Sequence, residues 1–357
     1  MARGRRNLLI YRTGQLGDTL VSMPAIQAIR RKFPDHRFAL LTDYHPGRGY
    51  VSSWDVLGPA GWFDEAVFYA PGKGLRDKVK NGFSLLRKLR RLSPEYVFDL
   101  SQPVRSKRQK YRDRLFLKQL IGAACYKGPD DGICTANRND GGAAGCEPEW
   151  RRLLRIAGER EISADFRIAV PAKEKAAFRE IAAAKGLPAD GEFLAVGPGS
   201  KMPAKRWPPE RFAELGKLLL ANFPRLHLLV LGGKGDEKLG NELCRTWGER
   251  SVCLAGELTV YGSAAALEKC AAFVGNDTGT MHLAAMAGKP CVALFSARDL
   301  PGQWYPYGSN HVILRHDTEC AGCMLEECDK QNKCLNSIGV EDAFRALKIT
   351  LEAATAR

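Results

Sequence analysis

The sequence lacks the long apolar run that a membrane-spanning helix requires, since no stretch approaches the roughly 18 consecutive apolar residues of such a helix. The basic first residues are followed by an apolar run, Leu8–Tyr11, that is too short for a secretory signal peptide. A cytosolic protein is therefore expected. In that compartment the eleven cysteines are expected to be mostly thiols or metal ligands and not disulfides.

Several signatures of common nucleotide-binding and nucleic-acid-binding proteins are also missing. The first glycine-containing turn lacks the G-x-G-x-x-G spacing of dinucleotide-binding folds, and the lysine-containing loop at 199–206 lacks the Walker spacing. No fixed-period repeat, low-complexity tract or recognisable nucleic-acid-binding module occurs. What remains is a chain of ordinary globular composition, with 45% hydrophobic and 26% charged residues.

Positive charge is concentrated in the first half of the chain. Residues 1–170 contain 31 Lys and Arg against 18 Asp and Glu, whereas the remaining residues contain 23 against 22. The richest basic run, 104–118, has seven cations and one Asp. The first half is therefore expected to face something anionic, for which nucleic acid, an acidic membrane surface and a phosphorylated substrate are all candidates. A solvated helix face is the usual alternative for such a run.

The apolar runs predict an α/β fold with two domains, because 357 residues exceed one ordinary core. In both halves continuous apolar runs alternate with helical patterns, as is typical of parallel strands buried on both faces. The predicted strands are 7–12, 38–43, 66–70, 96–101, 193–199, 226–233, 251–256, 272–277, 291–296 and 311–316. The predicted helices include 23–33, 75–92 and 340–356. Repeated βα units of this kind predict two doubly wound parallel-sheet domains.

The domain boundary is predicted near residues 160–175, where an extended segment runs into a helix just after Pro171. The expected parts are a first domain over 1–165, a second over 166–340, and a C-terminal helix over 341–357 that could cross back to the first domain. The Gly-, Asp- and Asn-rich stretch 128–145 is predicted to be a long loop of the first domain.

Two glycines and an acid follow the first predicted strand. The strand ends at Arg12, the chain turns on Gly14 and Gly17, and Asp18 stands just before a predicted helix. One interpretation makes Asp18 a helix cap near the positive end of the helix dipole. The other makes it a carboxylate at the edge of a parallel sheet where such folds bind ligands, and there it can act as a general base.

Two loops of the second half carry further polar candidates. In the loop after strand 193–199, Ser200 and Lys205 could hold phosphate oxygens, although an ordinary polar loop with surface lysines is the alternative. After strand 226–233, Glu237 begins a helix and could bond a ribose hydroxyl, with helix capping as an equal alternative.

The stretch "GNDTGTMHLAAMAGKP" joins a predicted strand to a helix at residues 275–290. Backbone N–H groups at a helix start bind anions, Gly279 leaves room for a diphosphate, and Thr278 adds a donor. Asp277 would repel that anion, so it is expected to accept hydrogen bonds from sugar hydroxyls, and His282 lies within the first turn. The alternative makes Asp277 or Thr278 a cap and His282 a core residue. Because all these loops follow strands of βα units, we expect them on facing edges of one cleft.

These segments resemble glycosyltransferase family 9, the bacterial lipopolysaccharide heptosyltransferases. The matching pieces are "GQLGDTLVSMPAI", "KRWPPERFAEL" and "GNDTGTMHLAAMAGKPCVALF" followed by "WYPYG", in the family's order across nearly the whole chain. The resemblance implies a GT-B fold, in which two Rossmann-like domains face a central cleft. It also implies inverting, metal-independent transfer of a sugar, usually heptose from ADP-heptose, onto a lipopolysaccharide core.

The resemblance assigns a role to each matching position. By its place in the motif, Asp18 is similar to the family's catalytic base and Lys205 to its donor-phosphate lysine. The positions similar to the family's donor-binding residues are Gly17, Ser200, Glu237, Asp277, Thr278, Gly279 and His282. A His often follows the first Asp by a few residues in related sequences, and "GDTLVSMP" has none.

The resemblance implies that the first domain binds the acceptor, and the basic run is then expected to contact it. A phosphorylated, lipid-linked glycan at the inner membrane leaflet would suit it, and the protein would then be peripheral to the cytoplasmic face of that membrane. The candidate acceptor contacts are Arg105, Lys107, Arg108 and Arg112.

One competing reading is another GT-B enzyme, such as a nucleotide-sugar epimerase or a transferase for a different sugar. The other is a basic nucleic-acid-binding protein, which leaves the loop motifs unexplained.

Four cysteines follow the last predicted strand at C-x2-C-x4-C-x5-C spacing: Cys320, Cys323, Cys328 and Cys334. Four thiolates could close a tetrahedral zinc site, although this spacing fits no common zinc template. The cluster is expected to lie away from the loop motifs, so any metal would be structural and none is expected to be needed for catalysis.

Overall fold

The described residues fold into two compact units. The computed structural model describes residues 6–43, 51–69, 74–102, 106–129, 146–159 and 166–355. The first unit contains the described residues up to 129 together with 147–159, and the second contains residue 146 together with 166–355. The predicted domain boundary after residue 165 lies at the edge of a segment outside the described residues. Most of the predicted loop 128–145 also lies outside them.

The first unit is built on a sheet of five parallel strands. The strands are β1 (Asn7–Tyr11), β2 (Arg37–Asp43), β3 (Glu65–Tyr69), β4 (Pro94–Asp99) and β5 (Cys125–Lys127). The helices are α1 (Leu16–Leu20), α2 (Met23–Lys32), α3 (Ser53–Leu57), α4 (Leu75–Leu92), α5 (Lys107–Arg114), a π-helix (Leu115–Leu120) and α6 (Glu149–Ile156). The strand order is β3-β2-β1-β4-β5, and every pairing is parallel.

The sequence explains why β1 is central in this sheet. Leu8, Leu9 and Ile10 are consecutive and fully buried. Because successive side chains of a strand point to opposite faces, both faces of β1 are buried, as in a parallel sheet with helices on both sides. Burying each of these side chains stabilises the fold by about 1.5–3 kcal/mol. The helix α2 begins with Pro24 in its first turn and ends with three cations, an arrangement that suits the helix dipole.

The second unit repeats the pattern with six parallel strands. The strands are β6 (Glu192–Gly197), β7 (Leu226–Val230), β8 (Ser251–Cys253), β9 (Cys270–Asn276), β10 (Cys291–Phe295) and β11 (Val312–Arg315). The helices are α7 (Ala172–Ala184), α8 (Pro209–Asn222), α9 (Glu237–Trp247), α10 (Val260–Lys269), α11 (Gly279–Met286), α12 (Lys333–Asn336) and α13 (Val340–Thr355). The strand order is β11-β10-β9-β6-β7-β8, again all parallel.

Both sheets are doubly wound, as predicted. In each unit the strand order reverses between the first and fourth strands, β1 and β4 in one and β6 and β9 in the other. Ligands bind beyond the carboxyl ends of the strands at such switch points. The ten predicted strands are confirmed, whereas β5 was not predicted. The C-terminal helix α13 packs on β9, β10, β11 and α8 of the second unit.

Candidate functional site

In the first unit, Asp18 lies at the switch point between β1 and β4. The structure places it inside α1, which begins at Leu16, and not before the helix as predicted. Its Oδ2 accepts the backbone N–H of Gln15 at 2.9 Å, so the carboxylate does cap the start of the helix. The side chain is still 17% exposed. Capping therefore leaves part of the carboxylate open to another partner.

The neighbouring glycines allow this turn to be tight. Gly14 has a φ of +125°, and a Cβ there would lie 2.7 Å from the Oδ2 of Asp18 and 2.8 Å from the Nε2 of Gln102, which follows β4. Only glycine fits such a position without strain. Gly17 is the second residue of α1, where its carbonyl accepts the N–H of Val21 at 3.1 Å.

A buried arginine lies beneath Asp18. The guanidinium of Arg12 is fully buried and donates to the backbone carbonyls of Leu100 and Asp18. It also lies 3.9 Å from the carboxylates of Asp18 and Glu149. Burial lowers the pKa of Arg12, and the two carboxylates partly offset that effect. Arg12 thus holds the backbone and the carboxylate of Asp18 from below.

This arginine belongs to a larger buried ion cluster that the sequence analysis missed. Arg152 forms two 2.7 Å hydrogen bonds to the carboxylate of Glu149, and both side chains are buried. Arg152 also donates to the carbonyl of Ser101 at 2.8 Å, just beyond β4. One sequence signal could have indicated this buried pair. Glu149 and Arg152 are three residues apart, on the same face of α6 as Leu153 and Ile156.

In the second unit, Lys205 lies between two buried carboxylates at the switch point of β6 and β9. Its Nζ lies 2.5 Å from the Oδ2 of Asp277 and 2.9 Å from the Oδ2 of Asp299. The guanidinium of Arg298 binds both carboxylate oxygens of Asp299, at 2.8 and 2.9 Å. Two acids and two cations therefore form a nearly buried cluster without net charge. Arg298 and Asp299, which follow β10, were not predicted from the sequence.

The electrostatics of this cluster keep the lysine charged. Burial acts to lower the pKa of Lys205, but the carboxylates of Asp277 and Asp299 outweigh it and raise that pKa above its ordinary value. For Asp277, burial raises the pKa and Lys205 opposes the shift. If Lys205 released one carboxylate and bound a ligand anion in its place, its ammonium would still be paired with a negative charge. Such an exchange is therefore feasible.

The start of α11 lies beside this cluster, because Thr278 follows Asp277 directly and Gly279 opens the helix. The hydroxyl of Thr278 makes no capping hydrogen bond within the helix.

His282, in the first turn of α11, is buried, and its Nδ1 finds no hydrogen-bond partner among the residues that the structure describes. Burial, with help from Lys205 and His311, lowers the pKa of His282 to about 3, so its ring is neutral at pH 7. A buried nitrogen without a hydrogen-bond partner is costly, so this Nδ1 is suited to bonding a ligand.

Ser200 and Glu237 have different surroundings. Ser200 is buried, and its hydroxyl accepts the N–H of Met202 at 3.3 Å, which shapes the loop that carries Lys205. Glu237 is the first residue of α9. Its carboxylate lies against Gly256 beyond β8, where an added Cβ would come within 2.2 Å of Oε1. The structure therefore brings Asp277 to Lys205 but places Glu237 against a different turn.

The candidate acceptor contacts lie on α5, apart from Arg105, which is outside the described residues. Lys107 and Arg108 are exposed, and Arg112 is exposed while donating to Asp113 at 2.7 Å. These side chains form a solvated cationic helix face. Their role toward an acceptor stays a prediction.

The four cysteines line one small cavity of about 10 Å³, together with residues of neighbouring loops. The sulfur of Cys328 accepts the N–H groups of Lys330 and Asn332 at 3.4 and 3.3 Å. Across the described ranges, no three His, Cys, Asp or Glu side chains come together in an arrangement that could hold a metal ion. Zinc binding by these cysteines stays a prediction. Metal analysis of the purified protein would test the zinc prediction.

The expectation that this cysteine segment (320–334) lies away from the loop motifs is wrong. Arg298 donates to the carbonyls of Met324 and Leu325 at 2.7 and 2.6 Å. Ala204, next to Lys205, donates its N–H to the carbonyl of Glu326 at 3.0 Å. The cysteine segment therefore braces the two loops that carry Lys205 and Asp299, a contact that strand and helix patterns do not reveal.

Comparison with known proteins assigns the chain to a family. The model of glycosyltransferase family 9 (heptosyltransferase) matches residues 153–334, just over half of the chain. The chain belongs to glycosyltransferase family 9. A similar protein is lipooligosaccharide heptosyltransferase 2 of Campylobacter jejuni, 29% identical over 169 residues. That match covers 45% of this chain and 51% of the relative, so the chain spans about half the length of the curated relatives it matches.

Two solved structures share the fold over nearly the whole chain. A family 9 glycosyl transferase from Veillonella parvula has a TM-score of 0.75 at 18% identity, covering 99% of each chain. E. coli ADP-heptose LPS heptosyltransferase II has a TM-score of 0.68 at 18% identity, covering 98% of this chain and 99% of that one. The predicted GT-B class of two doubly wound domains is confirmed. In the part of the chain described here, no helix is long and apolar enough to cross a membrane.

Proposed function

We propose that this family 9 protein is an inverting glycosyltransferase of lipopolysaccharide core synthesis, which moves heptose from ADP-heptose to an acceptor hydroxyl without a catalytic metal. Family membership and relatives named as lipopolysaccharide heptosyltransferases support this proposal. The structural observation that carries it is the ammonium of Lys205, held by Asp277 and Asp299 at a sheet switch point.

The donor side of the proposal rests on charge exchange at this lysine. A diphosphate would take the place of one carboxylate on Lys205, and the N–H groups at the start of α11 would bind its oxygens. Asp277, released from Lys205, could then accept a hydrogen bond from a sugar hydroxyl. The buried Nδ1 of His282, which has no hydrogen-bond partner among the described residues, would gain one.

The chemical step assigns one role to each unit. Asp18 takes the proton of the acceptor hydroxyl while that oxygen bonds to the anomeric carbon. The bond from the same carbon to the diphosphate breaks on the opposite face, which inverts the centre and releases a nucleoside diphosphate. Lys205, Thr278 and the N–H groups near Gly279 stabilise the charge that develops on the leaving group, and losing one such donor typically costs about 10²–10³ in rate.

The acceptor is proposed to be a phosphorylated, lipid-linked glycan that binds the cationic first unit. The exposed cations Lys107, Arg108 and Arg112 are suited to its phosphates. Such an acceptor is presented at a membrane, so we propose that the protein works at the cytoplasmic face of the inner membrane.

A donor screen by thermal shift tests the donor assignment. We expect ADP-heptose to raise the melting temperature more than GDP- or UDP-sugars, with and without a chelator. Lys205→Met should abolish the shift because the diphosphate loses its charged partner, whereas Lys217→Met, which removes an exposed lysine of α8, should not. Selective stabilisation by a UDP-sugar would contradict the donor, and epimerisation of the donor without acceptor would favour the epimerase reading.

A further inference from the structure

The helix α4 of the first unit exposes two large apolar side chains. Phe83 is 70% exposed and Val79 is 51% exposed, and their spacing of four residues puts them on one face of the helix. The other face is anchored, because Leu89 is fully buried and Leu85 packs against the core of the first unit. The helix is thus fixed to the unit while presenting apolar surface outward.

Helical geometry places Phe83 on the outward face. At 3.6 residues per turn, Phe83 points roughly 160° away from Leu85 and about 180° away from Leu92, which both pack on the core. Leu86, which also packs on the core, lies about 60° from Phe83 at the border of that face. Phe83 is therefore a surface residue and not a partly exposed core residue. An aromatic side chain in that position costs hydration free energy unless another surface covers it.

Cations surround this aromatic side chain. Arg76, Lys80 and Arg87 lie seven and three residues before it and four residues after it, on the same face. The helix has seven Lys and Arg against one Asp. Among the residues that the structure describes, none of these cations forms an ion pair with an acidic side chain. Their charge is therefore free to meet an external anion.

Two further exposed apolar side chains of the first unit lie on α5 and on the π-helix that follows it. Tyr111 on α5 is 71% exposed, and Leu120 ends the π-helix that follows α5. The Nε of Arg90 donates to the carbonyl of Leu120 at 2.8 Å, which joins α4 to this segment. Basic and apolar side chains thus continue from α4 onto the next exposed helix.

We propose that the outward face of α4 docks the protein on an anionic lipid bilayer. Phe83 and Val79 would enter the boundary between headgroups and acyl chains, and Arg76, Lys80 and Arg87 would contact lipid phosphates. A helix with an apolar centre and a cationic border matches this partner in charge and in chemistry. The inference deepens the proposed membrane location by naming its surface, and it is independent of the donor chemistry.

Co-sedimentation of the full chain with vesicles tests the docking surface. We expect binding to vesicles of phosphatidylethanolamine, phosphatidylglycerol and cardiolipin, and little binding to pure phosphatidylcholine. Phe83→Ser should weaken binding about tenfold or more, since most of its apolar contact is lost. A triple variant of Arg76, Lys80 and Arg87 to Gln should weaken it by about 100-fold and remove most of its salt dependence. Ile349→Ser, at a 63% exposed site on α13, should bind like the wild type.

Three results would overturn the inference. One is a wild-type protein that does not bind anionic vesicles, and another is a Phe83→Ser variant that binds them as well as the wild type. The third is a wild type that sediments as a dimer, while Phe83→Ser is a monomer that binds vesicles normally, because a second copy would then cover the face. The ADP-heptose thermal shift of Phe83→Ser should equal that of the wild type, so that a failure of docking is separable from a failure of the proposed sugar transfer.

Discussion

At the residue scale, the candidate donor site depends on groups whose charge is set by their neighbours. Lys205 stays charged although it is largely buried, because Asp277 and Asp299 outweigh the effect of burial on its pKa. His282, only one helical turn from Asp277, stays neutral for the opposite reason, since burial and two nearby basic side chains lower its pKa to about 3. One site therefore holds a fixed cation and a neutral imidazole side by side, a combination suited to a diphosphate beside a sugar.

The neutral His282 should make stability depend on pH. Its pKa is about 3 in the folded chain and about 6.5 when unfolded, so between these values only the unfolded chain binds the proton. The contribution of His282 is complete above pH 6.5 and falls as the pH decreases toward 3, by about 2 kcal/mol between pH 7 and pH 5. Denaturant unfolding at both pH values measures the change. His282→Asn should lose less stability over that range than the wild type, and equal losses would contradict the assignment.

The sequence predicted individual site residues better than their partners. Strand-to-loop junctions with Gly, Asp and Thr pointed to Asp18, Lys205 and Asp277 because parallel strands end at a common edge. The ion pair between Lys205 and Asp277 could not be predicted, because the two residues are 72 positions apart and no periodicity links them. Asp277 was therefore expected to face sugar hydroxyls alone, whereas in the structure it binds the lysine.

Buried charges were missed for a related reason. Arg12 stands at the end of an apolar strand and Glu149 near the start of a distant helix, and each looks like an ordinary surface charge in the sequence. Only the fold shows that they lie 3.9 Å apart beneath Asp18. Burying such charges is costly unless they are paired, and hydrophobic patterns do not show which charges are paired.

At the element scale, the patterns located strands and long helices well and short elements poorly. The confirmed strands are continuous apolar runs between helices, a pattern with a strong physical basis. The strand β5 has three residues and only partly buried side chains, too short a signal to detect. The cysteine segment has almost no regular structure, so its contacts with the loops of Lys205 and Asp299 could not be predicted.

Arg298 is the link between the cysteine segment and the candidate site. Its guanidinium joins two carbonyls of that segment to the carboxylate of Asp299. Arg298→Met should lower the unfolding free energy of the second unit by about 3 kcal/mol and weaken the donor-induced thermal shift, because buried acceptors lose their charged donor. Denaturant titration measures the first effect and ADP-heptose titration the second.

A surface pair provides the matched control for that substitution. Arg225 lies 3.4 Å from Glu192, and its side chain is 75% exposed. Arg225→Met should cost less than about 1 kcal/mol, as exposed ion pairs usually do. Equal losses in the two variants would show that Arg298 has no special bracing role.

At the scale of the whole molecule, the two doubly wound units differ in charge. Residues 1–170 carry most of the excess of Lys and Arg, whereas the rest of the chain is almost balanced. The second unit neutralises its buried cations internally, through Asp277 and Asp299. The first unit leaves cations exposed on α4 and α5. This division is the one expected from the proposed roles, in which the first unit binds an anionic acceptor and the second a nucleotide-sugar donor.

The central claim is that Asp18 removes a proton during sugar transfer, and mass spectrometry of the acceptor tests it most directly. Wild-type protein given ADP-heptose and a lipopolysaccharide core acceptor should add one heptose. Asp18→Asn should slow that addition by about 10²–10⁴-fold while the ADP-heptose thermal shift persists. Asp55→Asn is the matched control, since Asp55 caps α3 by the same contact, accepting the N–H of Ser52 at 2.7 Å. Heptose addition by Asp18→Asn at the wild-type rate, or none by the wild type, would contradict the account.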